Sequence, residues 1–186
     1  MTATIAPPQT QGSGPDGRRR LVVIGNGMAG ARAVEEILAR GGAELYAITM
    51  FGDEPYGNYN RIMLSHVLSG EESDEDIYLN SLEWYVENDI VLHAGVRATR
   101  IDRFAKVVLS DDGQVTPYDQ LVIATGSRSF LPPMNGLHVS SGQGSDGSLL
   151  PGVFAFRTID DTRGMVAHAT DLIERAPRGA ARPSAA

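Results

Sequence analysis

The decapeptide LVVIGNGMAG, Leu21 to Gly30, constrains this chain more than any other stretch. Four apolar residues in succession suit a strand buried on both faces. They give way at once to Gly25-x-Gly27-x-x-Gly30, and MAGARAVEEILAR then places Ala29, Ala33 and Ile37, and offset from them Ala31, Val34 and Leu38, at helical spacing. In a strand-turn-helix of this kind each glycine has its own task. Gly25 permits the tight exit from the strand, Gly27 lets the backbone approach a pyrophosphate, and Gly30 lets helix and strand come close. The first amides and positive dipole end of the helix attract phosphate charge, so the turn suits a nicotinamide or a flavin dinucleotide. The plainer alternative is a turn that merely packs tightly or holds another nucleotide-like ligand. Gly41 and Gly42 end the helix, since glycine takes the left-handed cap position without penalty. ELYAITMF supplies a second strand, which makes Leu21 to Phe51 a βαβ unit with parallel strands.

With 186 residues there is room for one hydrophobic core, but not for two nucleotide domains and a dimerisation domain. A net charge of -7 argues against nucleic acid and anionic membranes as partners, because such polyanions are met by clustered basic patches. The one dense basic run, Arg18 to Arg20, reads as a solvated approach to the first strand. Cysteine is absent, which excludes a disulfide framework, a dithiol relay and thiolate-held iron-sulfur or zinc within this sequence. No apolar run approaches the roughly 20 residues of a membrane span, and no signal-peptide pattern opens the chain, so the cytoplasm is the expected compartment.

Residues 1–19 read as a disordered leader, 20–175 as one domain and 176–186 as a disordered tail. A short helix is expected around Arg61 to Leu68. Asn80 is expected to cap a helix over SLEWYVEND, with Glu83 completing a capping box and Leu82, Tyr85 and Val86 forming the apolar stripe. Ile90 to Leu92 reads as a third parallel strand and Leu121 to Ala124 as a fourth. Between them the turn Asp111 to Gly113 implies an antiparallel excursion of two or three strands, ending near Tyr118. Ser127 to Pro151 reads as a long surface loop, flexible over about 136–150. Val153 to Phe156 follows as a short strand, and then comes a helix capped by Thr158 or Asp160 and running toward Glu174. The expected class is α/β, a Rossmann-like three-layer domain with an antiparallel excursion.

A carboxylate at the end of the second strand would accept hydrogen bonds from the adenosine ribose. Asp53 and Glu54 stand there, somewhat further from Gly25 than the roughly 20 residues usual for this fingerprint. The choice between them stays open, as does a merely solvated acidic turn. His66 and His93 lack second ligands at metal-binding spacing and read as structural or solvent-facing, although His66 follows the nucleotide unit closely. Glu35 and Glu36 point about 100 degrees apart and share no proton-transfer geometry. No nucleophile elbow or P-loop occurs, so any chemistry comes chiefly from a cofactor.

The words VVIGNGMAGARAVEEIL, ITMFGDEPYGNYNRIMLS, VRATRIDRFAKVV, YDQLVIATGSRSFLPP and PGVFAFRTIDD, in this order, cover most of Leu21 to Asp161. Together they resemble the flavin half of the two-dinucleotide, pyridine-nucleotide-disulfide oxidoreductases. Within that superfamily the chain is most similar to the amino-terminal region of assimilatory NAD(P)H-nitrite reductase large subunits. The resemblance implies an FAD site with Gly25, Asn26, Gly27, Met28, Ala29 and Gly30 around the pyrophosphate and Asp53 or Glu54 at the ribose. It implies Arg61 near the phosphates or the flavin wall, and Val96 against adenine through its backbone. Ala124, Thr125 and Gly126 would line the cofactor, with Arg128 a lesser contact. His66 stands where related sequences carry a flavin-facing lysine. The cysteine pair of the disulfide reductases is missing, and so is a second glycine fingerprint. The resemblance therefore implies an isolated flavin half, truncated relative to the family, with NAD(P)H bound only if a missing domain or partner supplies its site. The partner expected is a complementary NAD(P)-binding or electron-acceptor protein. A noncatalytic nucleotide-binding module and a nicotinamide-first dehydrogenase are the rival readings. The strand ending in ATG after a β-excursion speaks against the second of these, because the flavin branch uses that arrangement.

Overall fold

The computed structural model describes residues 14–141 and 144–175, so most of the expected leader and all of the expected tail lie outside the described residues. In chain order the elements are β1 (Arg19–Ile24), α1 (Met28–Ala39), β2 (Tyr46–Gly52), β3 (Asn58–Tyr59), α2 (Leu64–Ser69) and β4 (Tyr78–Asn80). They continue with α3 (Leu82–Glu87), β5 (Ile90–Ala94), β6 (Ala98–Asp102), β7 (Val107–Ser110), β8 (Val115–Pro117) and β9 (Gln120–Ile123). Last come β10 (His138–Ser141), β11 (Gly144–Leu149) and α4 (Ile159–Arg175). The chain divides into two compact units. The first runs to Tyr59 and resumes over Tyr78–Gly126, and the second joins Asn60–Ile77 to the chain from Ser127 onward.

In the first unit four strands form one sheet in the order β5-β2-β1-β9, with every pairing parallel. Side chains alternate across a strand, so the apolar run of β1 serves both faces. Leu21 and Val23 join Ile48, Met50 and Ile90 in a cluster with Val34 of α1 and Tyr85 of α3. Val22 and Ile24 face the other way and pack with Phe51, Val108 and Tyr118. That second face is covered by the antiparallel sheet β6-β7-β8, which begins at Ala98. Helices, parallel sheet and antiparallel sheet are the three layers, and the fold is α/β and Rossmann-like as the sequence implied.

Three expectations in this unit need correction. Arg20 is not a solvated approach residue. Its backbone amide donates to Asp119 Oδ2 at 2.7 Å, and its guanidinium reaches both carboxylate oxygens, at 3.3 and 3.0 Å. The half-buried fork clips the start of β9 to β1, while Arg18 pairs with Asp89 at 2.9 Å. Asn80 does not cap α3. The cap is Ser81, and Asn80 ends β4 with its carboxamide accepting from Asn58 and donating to Glu35. The expected stripe of α3 is also narrower than its sequence suggests, for Tyr85 is buried while Leu82 and Val86 are exposed.

The second unit is built differently. Arg61–Met63 forms a 3-10 turn leading into α2, and among the described residues of this unit Leu64, Ile77, Leu137, Ile159 and Thr162 are buried. Thr158 and Asp161 make a reciprocal cap at the start of α4. Asp161 Oδ2 accepts from the amides of Arg157 and Thr158, and Thr158 Oγ1 accepts from the Asp161 amide at 3.0 Å. Arg163 pairs with Asp74 across this unit. The segment read as an unstructured loop contains the antiparallel pair β10-β11. Val153 to Phe156 is not a strand; Phe154 lies instead against His168 of α4, with ring centroids 5.6 Å apart.

Candidate dinucleotide site

β1 runs out at Ile24 and the chain turns at Gly25, whose φ of +112° is open to glycine and strained for any other residue. A Cβ there would overlap the Ala124 carbonyl oxygen, and one on Gly30 would overlap the Gly25 carbonyl oxygen. Both glycines are therefore required by packing, whatever the turn binds. Gly27 differs. Its backbone is extended (φ −81°, ψ −179°), and no atom beyond its chain neighbours lies within 4 Å of where a Cβ would stand. Gly27 is the N-cap of α1, without a side-chain cap and without an acidic residue in the first turn. The first bond within the helix runs from the Ala31 amide to Gly27 at 3.0 Å, so the amides of Met28, Ala29 and Gly30 precede the internal ladder. Open space stands beside donors of positive dipole, and an anion fits that combination.

The turn is fixed from several sides within the first unit. The Gly25 amide donates to the Phe51 carbonyl at 2.8 Å, and the Ala124 amide donates to the Ile24 carbonyl at 2.7 Å. Asn26 Oδ1 accepts from the Tyr85 hydroxyl at 2.7 Å and its Nδ2 donates to the Tyr56 carbonyl at 3.3 Å. Burial pushes the Tyr85 pKa up, which outweighs the lowering effect of the Asn26 bond, so the phenol keeps its proton at neutral pH. Met28 and Ala29 are exposed and Gly30 is buried.

Both candidate carboxylates follow the end of β2. Asp53 is exposed and stands 3.5 Å from Arg97 Nη2, whereas Glu54 is more buried and accepts from the Tyr59 hydroxyl at 2.6 Å. An exposed pair at that distance is weak, which leaves Asp53 the readier of the two to turn toward a ribose. The Val96 amide donates to the Gly52 carbonyl at 3.0 Å, and Gly95 donates to the Glu54 carbonyl at 3.0 Å. A backbone contact from Val96 to adenine would thus fall to its carbonyl. Ala124, Thr125 and Gly126 continue β9 beside the glycine turn, with Gly126 at φ +70°. The structure accordingly gathers Gly25 to Gly30, Asp53, Glu54, Val96 and Ala124 to Gly126 at the carboxyl ends of parallel strands, the end where open α/β sheets bind ligands.

Arg61, His66 and Arg128 belong to the second unit. Arg61 Nη1 donates to the Arg157 carbonyl at 3.0 Å. His66, half exposed on α2, has Nδ1 2.8 Å from Glu71 Oε2. Arg128 is exposed in irregular chain beyond β9. His93 stacks on Phe51, with centroids 4.8 Å apart and planes 18° from parallel. Among the described residues no three His, Asp or Glu side chains converge as a metal-ligand set, and no helix is long and apolar enough to cross a membrane. Sequence reasoning missed Tyr85, Tyr59 and Arg97, all of which touch candidate site residues. The one local signal was a tyrosine, rather than a phenylalanine, on the buried side of α3.

Comparison with known proteins places this geometry. Residues 19–176 match the family model of the pyridine nucleotide-disulphide oxidoreductases. The chain is 44% identical over 151 residues to the NAD(P)H nitrite reductase of Bacillus subtilis (strain 168), covering 81% of this chain and 17% of that protein. It is 39% identical over 163 residues to the assimilatory nitrate reductase electron transfer subunit of the same organism, covering 88% of this chain and 20% of that one. Among solved structures, the covalent putidaredoxin reductase-putidaredoxin complex superposes with a TM-score of 0.69 at 26% identity, covering 81% of this chain and 34% of the other. This chain thus spans a fifth or less of the two curated relatives, and its fold is the Rossmann-like FAD-binding fold. By sequence and by architecture together, the chain belongs to the pyridine nucleotide-disulphide oxidoreductase family.

Proposed function

We propose that this chain is the FAD-binding portion of an NAD(P)H-dependent oxidoreductase of the nitrite-reductase large-subunit type, through which electrons pass by way of the flavin. The observation that carries the reading is the contrast among the three glycines. Gly25 and Gly30 are packed against backbone, while Gly27 borders open space at an uncapped helix start. A turn shaped only by packing has no use for that space; a diphosphate does. The Met28 and Ala29 amides would donate to the phosphates, and Asp53 or Glu54 would accept from the ribose hydroxyls. Ala124 to Gly126 would wall the cofactor. Bound FAD would supply hydride-accepting and electron-relaying chemistry that no side chain here provides. The names of the relatives support a redox partner, since one is an electron transfer subunit and another was solved in complex with putidaredoxin. The sequence carries one glycine fingerprint, so the nicotinamide site would come from another domain or protein.

The purified chain should take up FAD, read as a shifted and structured flavin absorbance on titration. Gly27→Val should weaken that uptake by about tenfold or more, because the new side chain enters the space the diphosphate needs. Removing the Asp53 or Glu54 carboxylate singly should cost less. Equal affinities for wild type and Gly27→Val would sink the assignment. Stopped-flow mixing of the FAD-loaded chain with NADH or NADPH should give no rapid saturable flavin reduction.

A further inference from the structure

Asn26 sits between Gly25 and Gly27, yet its side chain is spent on protein. Its Oδ1 takes the Tyr85 hydroxyl proton at 2.7 Å and its Nδ2 donates to the Tyr56 carbonyl at 3.3 Å. One phenol and one carboxamide therefore tie together the turn after β1, the loop after β2 and helix α3. The loop is held from a second side, where Asn58 Nδ2 donates to Asn80 Oδ1 at 3.1 Å and Asn80 Nδ2 donates to Glu35 of α1 at 3.0 Å.

Tyr85 is only 1% exposed and stands in the apolar cluster with Val23, Val34 and Met50, its ring edge-on to Trp84. Phenylalanine would fill that volume almost as well. Burying a hydroxyl is costly unless it is hydrogen-bonded, so the hydroxyl is accounted for by the bonds it makes and not by the ring's packing. Gly27 has no side chain and is held directly through its backbone, its carbonyl accepting from the Ala31 amide at 3.0 Å. The neighbouring Asn26 side chain adds a side-chain anchor to the backbone bonds of Gly25 and Ala124 that also fix the turn.

We infer that Tyr85 is a positioning residue for the dinucleotide turn, holding Gly27 and the amides of Met28 and Ala29 in their binding conformation through the Asn26 carboxamide. The inference rests on the FAD reading above for its affinity readout. A turn that the ligand itself must order binds more weakly than one already set, and the loss appears as affinity while the fold persists.

Tyr85→Phe, Asn26→Ala and the double variant test this by FAD titration, with hydrogen exchange of β1 and β2 amides reporting whether the core is retained. Tyr85→Phe should weaken FAD binding by roughly five- to tenfold. In the Asn26→Ala background the same change should have little further effect, because the two residues act as one unit. Unchanged affinity in Tyr85→Phe, or losses that simply add in the double variant, would overturn the inference. The ligand-free protein gives an independent readout: the amides of Gly25 and Ala31, bonded to the Phe51 and Gly27 carbonyls, should exchange faster in Tyr85→Phe and in Asn26→Ala than in wild type. Unaltered protection there also overturns it. If wild type takes up no FAD, the functional reading fails and the exchange experiment still decides the role of Tyr85.

Discussion

The two units are stabilised by different means. In the first, β1 is buried on both faces, and two apolar clusters share its alternate residues. In the second, α4 is 17 residues long but buries only Ile159 and Thr162 among its described side chains, and it leaves Val166, Leu172 and Ile173 exposed. What fixes its start is polar, the reciprocal cap of Thr158 and Asp161 and the pair of Arg163 with Asp74. Apolar burial is nondirectional and scales with area, whereas a cap depends on one or two atoms. The first unit should therefore be most sensitive to volume and the second to single hydrogen-bonding groups.

The strongest challenge to this contrast is Gly30→Ala. The added methyl overlaps the Gly25 carbonyl, and backbone has no flexible end to swing aside, so a loss of about 4 kcal/mol or more is expected in urea unfolding. Phe51→Ala should follow at roughly 3 to 5 kcal/mol, since the ring is fully buried against the antiparallel layer. Asp161→Ala should cost only about 1 kcal/mol, and the loss should show as faster amide exchange at the start of α4. A larger effect for Asp161→Ala than for Phe51→Ala would reverse the comparison.

Smaller still is a dependence on alkaline pH from Tyr85. Its folded pKa lies above that of an unfolded tyrosine, about 10, so just above that pH the unfolded chain binds fewer protons than the folded one. Stability from this group is thus complete below pH ~10 and declines as pH rises toward the folded pKa. Tyr85→Phe should remove that part of the slope in a pH series of unfolding curves. At the bottom of the scale, Leu172→Ala on the exposed side of α4 should change stability by no more than about 0.5 kcal/mol.

The parallel strands were legible because a strand covered on both faces reads as an apolar run, as β1 and β2 do, and β9 keeps such a run although it is an edge strand that leaves Ile123 exposed. The glycine turn was legible because backbone geometry admits few residue types at Gly25 and Gly30. The second unit was harder to read for the same physical reason in reverse. β10 and β11 are rich in serine and glycine, and their pairing is carried by backbone bonds that leave little side-chain pattern. Val153 to Phe156 has a strand's composition, but Phe154 packs along α4. Asn80 has an N-cap's chemistry, yet Asn58 and Glu35 engage its side chain. Tyr85 was read as one apolar residue of a stripe, since the partner of its hydroxyl lies 59 positions away.

The fork between Arg20 and Asp119 joins residues 99 positions apart. Until β9 has been synthesised, one edge of β1 has no neighbour, although β2 can pair with the other edge soon after it emerges. At about 5 to 20 residues per second, a ribosome takes roughly 5 to 20 seconds to cover that interval. Through that time the nascent chain presents an unpaired edge of valine and isoleucine, the kind of surface that recruits a wrong strand or a chaperone. The charged clip at its base gives the late-arriving strand a register to find, because a slip of one residue would separate Asp119 from Arg20 and turn every side chain of β9 to the opposite face.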